Sequence, residues 1–241
     1  MLHKTRGIVF KTTDYGDSSV ITQVFTEKFG LQSYLVNGAK KPKAKISRNM
    51  LQPLHLLDMV VYHKNTGNIQ RIKELKNSPQ LASIPYDIVK SSVAIFLNEV
   101  VYKSIKQQSA DENVFDFLFS AIEWLDHETK GLANFHLLFL IKLSRYLGFY
   151  PDRYLAGEAD YFDLKNATFS RFKPTSILYL SPPHTQNFTL LLESGFENLA
   201  EIKLSNDERR YLIQKLLEYY ALHIESFGNV KSYEVLEDIF G

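Results

Sequence analysis

Five cations stand within nine residues of this chain, at Lys40, Lys41, Lys43, Lys45 and Arg48. Pro42 interrupts them and no acidic residue lies among them. A cluster of that kind suits one chemistry above others, the neutralisation of closely spaced anions such as backbone phosphates, with release of their counterions. A plainly solvated lysine-rich loop is the simpler alternative. Covalent chemistry finds little support. The seven histidines (His3, His55, His63, His127, His136, His184, His223) are scattered, with no His-Glu-x-x-His spacing. No serine occupies a nucleophile-elbow sequence, and neither common glycine-rich phosphate loop occurs. Glu158, Asp160 and Asp163 are close enough in sequence to suggest metal ligands, although a solvated loop explains them more simply. With no cysteine, the chain has no disulfide, no thiolate metal site and no cysteine nucleophile. The residues point to a binding protein without cofactor or metal, and not to an enzyme.

The charge distribution sharpens that expectation. Residues 1–80 hold 13 Lys and Arg against 5 Asp and Glu, a net of +8, while residues 81–241 hold 15 against 22, a net of −7. The overall value of +1 therefore conceals two oppositely charged halves, and the basic half calls for an anionic partner. No apolar run approaches the ~20 residues of a membrane-spanning helix. The N-terminus runs directly into strand-like sequence without a signal-peptide pattern, so the simplest location is the cytoplasm, with no membrane partner.

The basic half reads as small β structure. Strand-like runs cover Gly7 to Thr13, Val20 to Thr26, Leu31 to Val36, Leu51 to Tyr62 (broken early by Pro53) and Ile69 to about Leu75. Turn residues separate them at 14–17, 28–30, 37–38 and 65–68. Five such strands in under 80 residues have the dimensions of a Greek-key barrel, with an OB-fold the leading candidate. Such barrels bind single strands, and Phe10, Tyr15, Tyr34 and Tyr62 are interleaved with Arg6, Lys11, Lys64, Arg71 and Lys73. Period-2 alternation assigns about half of those aromatics to the core without saying which.

Near Asn77-Ser78-Pro79 the period changes from 2 to 3.6, which places a domain boundary at residues 77–84. A first helix should start with Pro85 in its first turn and bury Val89, Val93, Phe96, Leu97 and Val100. A second should span Asn113–Leu125, and a third, apolar nearly all round, Asn134–Leu147. A fourth should run from the capping box of Ser205 and Glu208 to about Ile224. Residues 152–203 read as irregular, apart from a short hairpin of 161–164 and 168–170. Lys142 and Arg145 close an otherwise apolar helix. They suit either the helix C-terminal dipole or capture of an acidic, hydrophobic peptide tail.

Several segments, in order, resemble the RecO family of bacterial recombination mediators. They are 7–10, 15–19, 25–30, 38–43, 51–54, 140–151 and Lys231-Ser232. The resemblance implies an α+β protein with an N-terminal five-stranded OB-fold barrel (1–80) and a C-terminal α-helical domain (81–241) that carries the hairpin insert at about 152–203. It further implies binding of single- and double-stranded DNA, annealing of complementary strands, and, with RecR, help in loading RecA onto strands coated by SSB. On this resemblance Arg6, Lys11, Lys40, Lys41, Lys43, Lys45, Arg48 and Arg71 are candidate DNA contacts, and Lys142 and Arg145 candidate contacts for the acidic C-terminal tail of SSB. Many members carry a four-cysteine zinc site after the segment equivalent to 148–151. Here that region has no cysteine, so its hairpin must be held by packing of Tyr161, Phe162 and Phe169. The competing reading is a protein adaptor whose basic barrel grips an acidic protein rather than DNA.

Overall fold

The computed structural model describes residues 1–64, 68–106 and 109–240, so the expected turn at 65–68 lies largely outside the described residues. The chain divides into two compact units, Met1–His127 and the residues from Glu128 onward.

The first unit opens with five strands, β1 (Leu2–Tyr15), β2 (Ser19–Thr26), β3 (Gly30–Val36), β4 (Leu56–Tyr62) and β5 (Gln70–Asn77). They close into a barrel in the order β1-β2-β3-β5-β4, antiparallel except for β3 against β5. This is the OB-type barrel expected from the strand spacing. β1 is long enough to serve two neighbours, pairing with β4 along Leu2–Ile8 and with β2 along Gly7–Tyr15, with a register shift between Val9 and Lys11. Where the two ladders overlap stands Gly7. A Cβ there would lie 2.6 Å from both the Met59 Cε and the Val24 Cγ1, so only glycine lets β1 pass this close to its neighbours. Alternate residues point inward, and Val9, Val20, Val24, Tyr34, Leu57, Met59 and Val61 fill the interior.

The expected strand from Leu51 to Tyr62 is shorter than the sequence suggests. Residues Arg48–Leu51 form a 3₁₀ turn and β4 starts only at Leu56, because Pro53 cannot donate to a ladder. Two helices complete this unit, α1 (Ile88–Ser104) and α2 (Glu112–His127). Pro85 lies outside α1, contrary to the expectation. Asp87 takes the N-cap position instead, its carboxylate accepting from the Val89 and Lys90 amides at 2.8 and 3.0 Å. The outward side chains of β1 and β2 are not all solvated. Phe10 stacks on Phe25 at 5.7 Å, and Phe25 meets Phe115 of α2 at 6.1 Å. The end of α2 is tied back to the linker. Asp126 accepts from the amides of Ala82, Ser83 and Ile84, and the buried Lys90 ammonium donates to the Asp126 carbonyl and to Ser83 Oγ.

The second unit is built on α3 (Leu132–Tyr146), whose residues from Asn134 to Ile141 are all buried. Around it lie β6 (Tyr161–Asp163), β7 (Thr168–Ser170), β8 (Tyr179–Leu180), α4 (His184–Glu193), α5 (Asn206–His223) and α6 (Tyr233–Phe240). The capping box holds at the start of α5, with Ser205 and Glu208 exchanging both hydrogen bonds. The expected hairpin forms as β6–β7, with Phe162 opposite Phe169. The stretch 152–203 is more regular than its sequence suggests, since it also contains β8 and α4.

Candidate nucleic-acid interface

The basic loop spans the segment between β3 and β4. Apolar residues pin it to the barrel: Ala39 and Leu51 are buried in the core, and Ile46 packs against it. Its first cation is structural. The Lys40 amide donates to the Ser18 carbonyl and its ammonium to the Gly16 carbonyl, both at 3.0 Å, tying the loop to the β1–β2 turn. Asp14, near the end of β1, then accepts Lys40 at 3.6 Å and Arg48 at 3.1 Å. Lys41, Lys43 and Lys45 are exposed, and none has a carboxylate within ion-pair distance among the described residues. The five cations thus divide into two that shape the loop and three that project charge into solvent. Tyr15, 55% exposed, stands beside the same turn.

The remaining candidates occupy different situations. Arg6 is consumed by the fold. Its guanidinium pairs with Glu27 at 2.9 Å and Asp116 at 2.8 Å and lies about 5 Å over the rings of Phe115 and Phe119. Glu27 is held below its ordinary carboxylate range chiefly by that bond from Arg6. An arginine with two carboxylates on it has no net charge to offer a phosphate. Lys11 is exposed and lies 5.4 Å over the Tyr102 ring. Arg71 is exposed on β5, opposite Tyr62 of β4. Among the four aromatics, Phe10 and Tyr34 are core, at 1% and 0% exposure, while Tyr15 and Tyr62 are open. The Tyr34 hydroxyl has no hydrogen-bond partner among the described residues, and burial raises its pKa well above the usual phenol value.

In the second unit, the half-buried Lys142 ammonium donates to the Leu192 carbonyl, in the last turn of α4, at 3.0 Å. Burial, then Arg153 and Arg145, lower its pKa. Arg145 is exposed, its guanidinium 5.9 Å over the Tyr150 ring. The suggested carboxylate cluster does not assemble. Glu158 pairs with Arg171, whereas Asp163 caps its own hairpin turn through the Lys165 and Asn166 amides. No group of three potential metal ligands occurs among the described residues.

A cleft of about 770 Å³ lies on the barrel between β1, β4 and β5 and the 27–28 turn. It is lined by Lys4, Lys28, Lys45 and Lys76 among others. Of these only Lys45 was drawn from the sequence. Lys4 stands between His3 and Thr5 and Lys28 between Glu27 and Phe29, outside any lysine run, and only the barrel's register brings them to Lys45.

Two family models match this chain, recombination protein O N terminal over residues 1–78 and recombination protein O C terminal over residues 85–234. The chain belongs to the RecO family. Relatives named DNA repair protein RecO resemble it from end to end. The protein of Bacteroides fragilis is 37% identical over 243 residues, and that of Azobacteroides pseudotrichonymphae 36% over 240, each with both chains fully covered. The protein of Flavobacterium psychrophilum is 38% identical over 240 residues, covering 98% of both chains. In this RecO chain the hairpin is filled by rings. Phe162 is fully buried, 4.9 Å from Phe169 and 4.7 Å from Phe188 of α4, and Tyr161 meets Tyr179 edge-on.

Proposed function

We propose that this RecO protein works as a cytoplasmic, non-enzymatic mediator of DNA repair and recombination. It binds single- and double-stranded DNA through its basic barrel, anneals complementary strands and, together with RecR, helps RecA to load onto strands coated by SSB. The observation that carries this reading is the set of three exposed lysines, Lys41, Lys43 and Lys45, unpaired among the described residues, on a loop anchored by Lys40 and Arg48. An anchored cationic loop lowers the repulsion between two phosphate backbones brought together, which is what annealing requires. Lys142 and Arg145, with Arg153 nearby, supply the positive charge for the acidic SSB tail.

The test is a titration of a fluorescein-labelled oligonucleotide, single- or double-stranded, at several salt concentrations. The wild type should bind steeply with salt. K41E/K43E/K45E should lose most of that affinity, with the single-strand slope shallower by about 2, from about 0.7 per phosphate contact. Wild-type protein that binds no oligonucleotide at low salt, but binds an acidic protein, would replace this reading by the adaptor.

A further inference from the structure

OB barrels commonly carry oligonucleotides on the face of their second and third strands. In this chain β2 (SVITQVFT) and β3 (GLQSYLV) hold no charged residue at all. Part of the outer face of β2 is also covered, because Phe25 packs against Phe115 of α2. The cations have collected on the other side of the barrel. The geometry points to a strand-binding cleft on the β1–β4–β5 side, in which Lys4, Lys28 and Lys45 hold the phosphates of a single strand. This rests on the DNA-binding reading above and adds to it the location and two unassigned contacts.

The charge count within the cleft favours an anion once the ion pairs made by its lining residues are set aside. Glu27 is taken by Arg6, Asp58 by Lys76 at 3.2 Å, and Glu74 by Lys73 at 3.8 Å. Lys4, Lys28 and Lys45 are left exposed and without an ion pair among the described residues. They come from three separate segments, so their convergence on one cleft is a property of the fold rather than of a lysine-rich run. The cleft also offers some apolar surface at the partly buried Val60 and Leu75. Two residues beyond Val60 along β4, and so on the same side of the strand, stands Tyr62, 46% exposed and opposite Arg71. A groove of cations followed by an open ring is the combination that binds single strands without reading sequence. Lys45 belongs both to the cleft and to the loop, so a strand held by Lys41 and Lys43 continues into the cleft without a gap in positive charge.

The experiment uses the full chain and a fluorescein-labelled oligothymidine. K4E/K28E should weaken binding by about tenfold or more at low salt and make the salt slope shallower by about 1.4, two single-strand contacts. S33E, which puts a negative charge on β3, should stay within about twofold of wild type. As a measurement on the unaltered protein, photo-cross-linking of a bromodeoxyuridine oligonucleotide should label the peptide that carries Tyr62. Unchanged binding by K4E/K28E with loss in S33E, or cross-links confined to β2 and β3, would overturn the cleft. If K41E/K43E/K45E fails to bind while K4E/K28E equals wild type, the cleft is wrong and the DNA reading stands. If the wild type binds no DNA, both fall together.

Discussion

Asp14 decides what the basic loop can do, and no composition count would single it out. By holding Lys40 and Arg48 it converts a run of like charges, which would otherwise repel and spread, into a shaped loop with its three other lysines outward. The aromatics divide in the same way. Tyr34 and Tyr62 were equivalent as residue types, yet one is sealed in the barrel and the other open. Replacing Tyr34 by Phe removes a buried hydroxyl that has no partner among the described residues, so Y34F should leave stability unchanged or slightly raised in a denaturant titration, and leave oligonucleotide affinity unchanged. Y62A should instead lose affinity for single strands, by about 1–3 kcal/mol if one base stacks there. A second residue-scale prediction concerns His136, buried in α3. Burial, assisted by the charge of Arg209, lowers its pKa to about 3. The unfolded chain takes up that proton near pH 6.5 and the folded chain does not, so acid favours unfolding between those values. The loss should reach about 2 kcal/mol by pH 5, at about 1.4 kcal/mol per pH unit. His55, whose pKa is lowered by burial against a bond to the Met50 carbonyl, works in the same direction. Comparing denaturation midpoints at pH 7 and pH 5, H136Q should lose less stability than wild type. An equal loss would assign the acid sensitivity elsewhere.

The elements that were legible in the sequence are those whose pattern is local. Alternation marked the barrel strands because one side of each is buried against a single interior, and the capping box marked the start of α5 because two side chains sign it. What escaped was written in partners distant along the chain. α1 is an exception, since its start at Ile88 is set by the local N-cap Asp87 and leaves Pro85 outside. α4 is ten residues long, follows two prolines and opens with His184-Thr185-Gln186-Asn187, a turn with no apolar periodicity. The extra length of β1 at its start comes from pairing with β4, more than fifty residues away. The cleft lysines belong to the same class, since barrel closure alone brings Lys4, Lys28 and Lys45 together. The hairpin β6–β7 shows how much a small element can owe to packing. Phe162 touches Phe169, Phe188 and Tyr219, so it links the hairpin to both α4 and α5. F162A should cost about 3–5 kcal/mol by chemical denaturation. A cost below 1 kcal/mol would mean that the rings do not hold the hairpin.

At the scale of the whole molecule, a net charge of +1 gives no long-range attraction to DNA, and screening at physiological salt limits any field to about 8 Å. Function must therefore be local to the basic surfaces, and each should serve its own ligand. The barrel holds the exposed loop lysines, while Lys142, Arg145 and Arg153 belong to the other compact unit. Lys142 is a poor probe, because its ammonium also closes the end of α4. Arg145 is exposed and bonds to no backbone group among the described residues, so R145E tests the charge without removing such a bond. That variant should bind an acidic peptide with the sequence of the SSB tail about five- to tenfold more weakly, the loss of about 1 kcal/mol that an exposed charge contributes. Its affinity for a labelled oligonucleotide should equal wild type. K41E/K43E/K45E should show the reverse, with strand binding lost and peptide binding kept. If one surface took both anions, each variant would lower both affinities, and that result would end the assignment of separate sites.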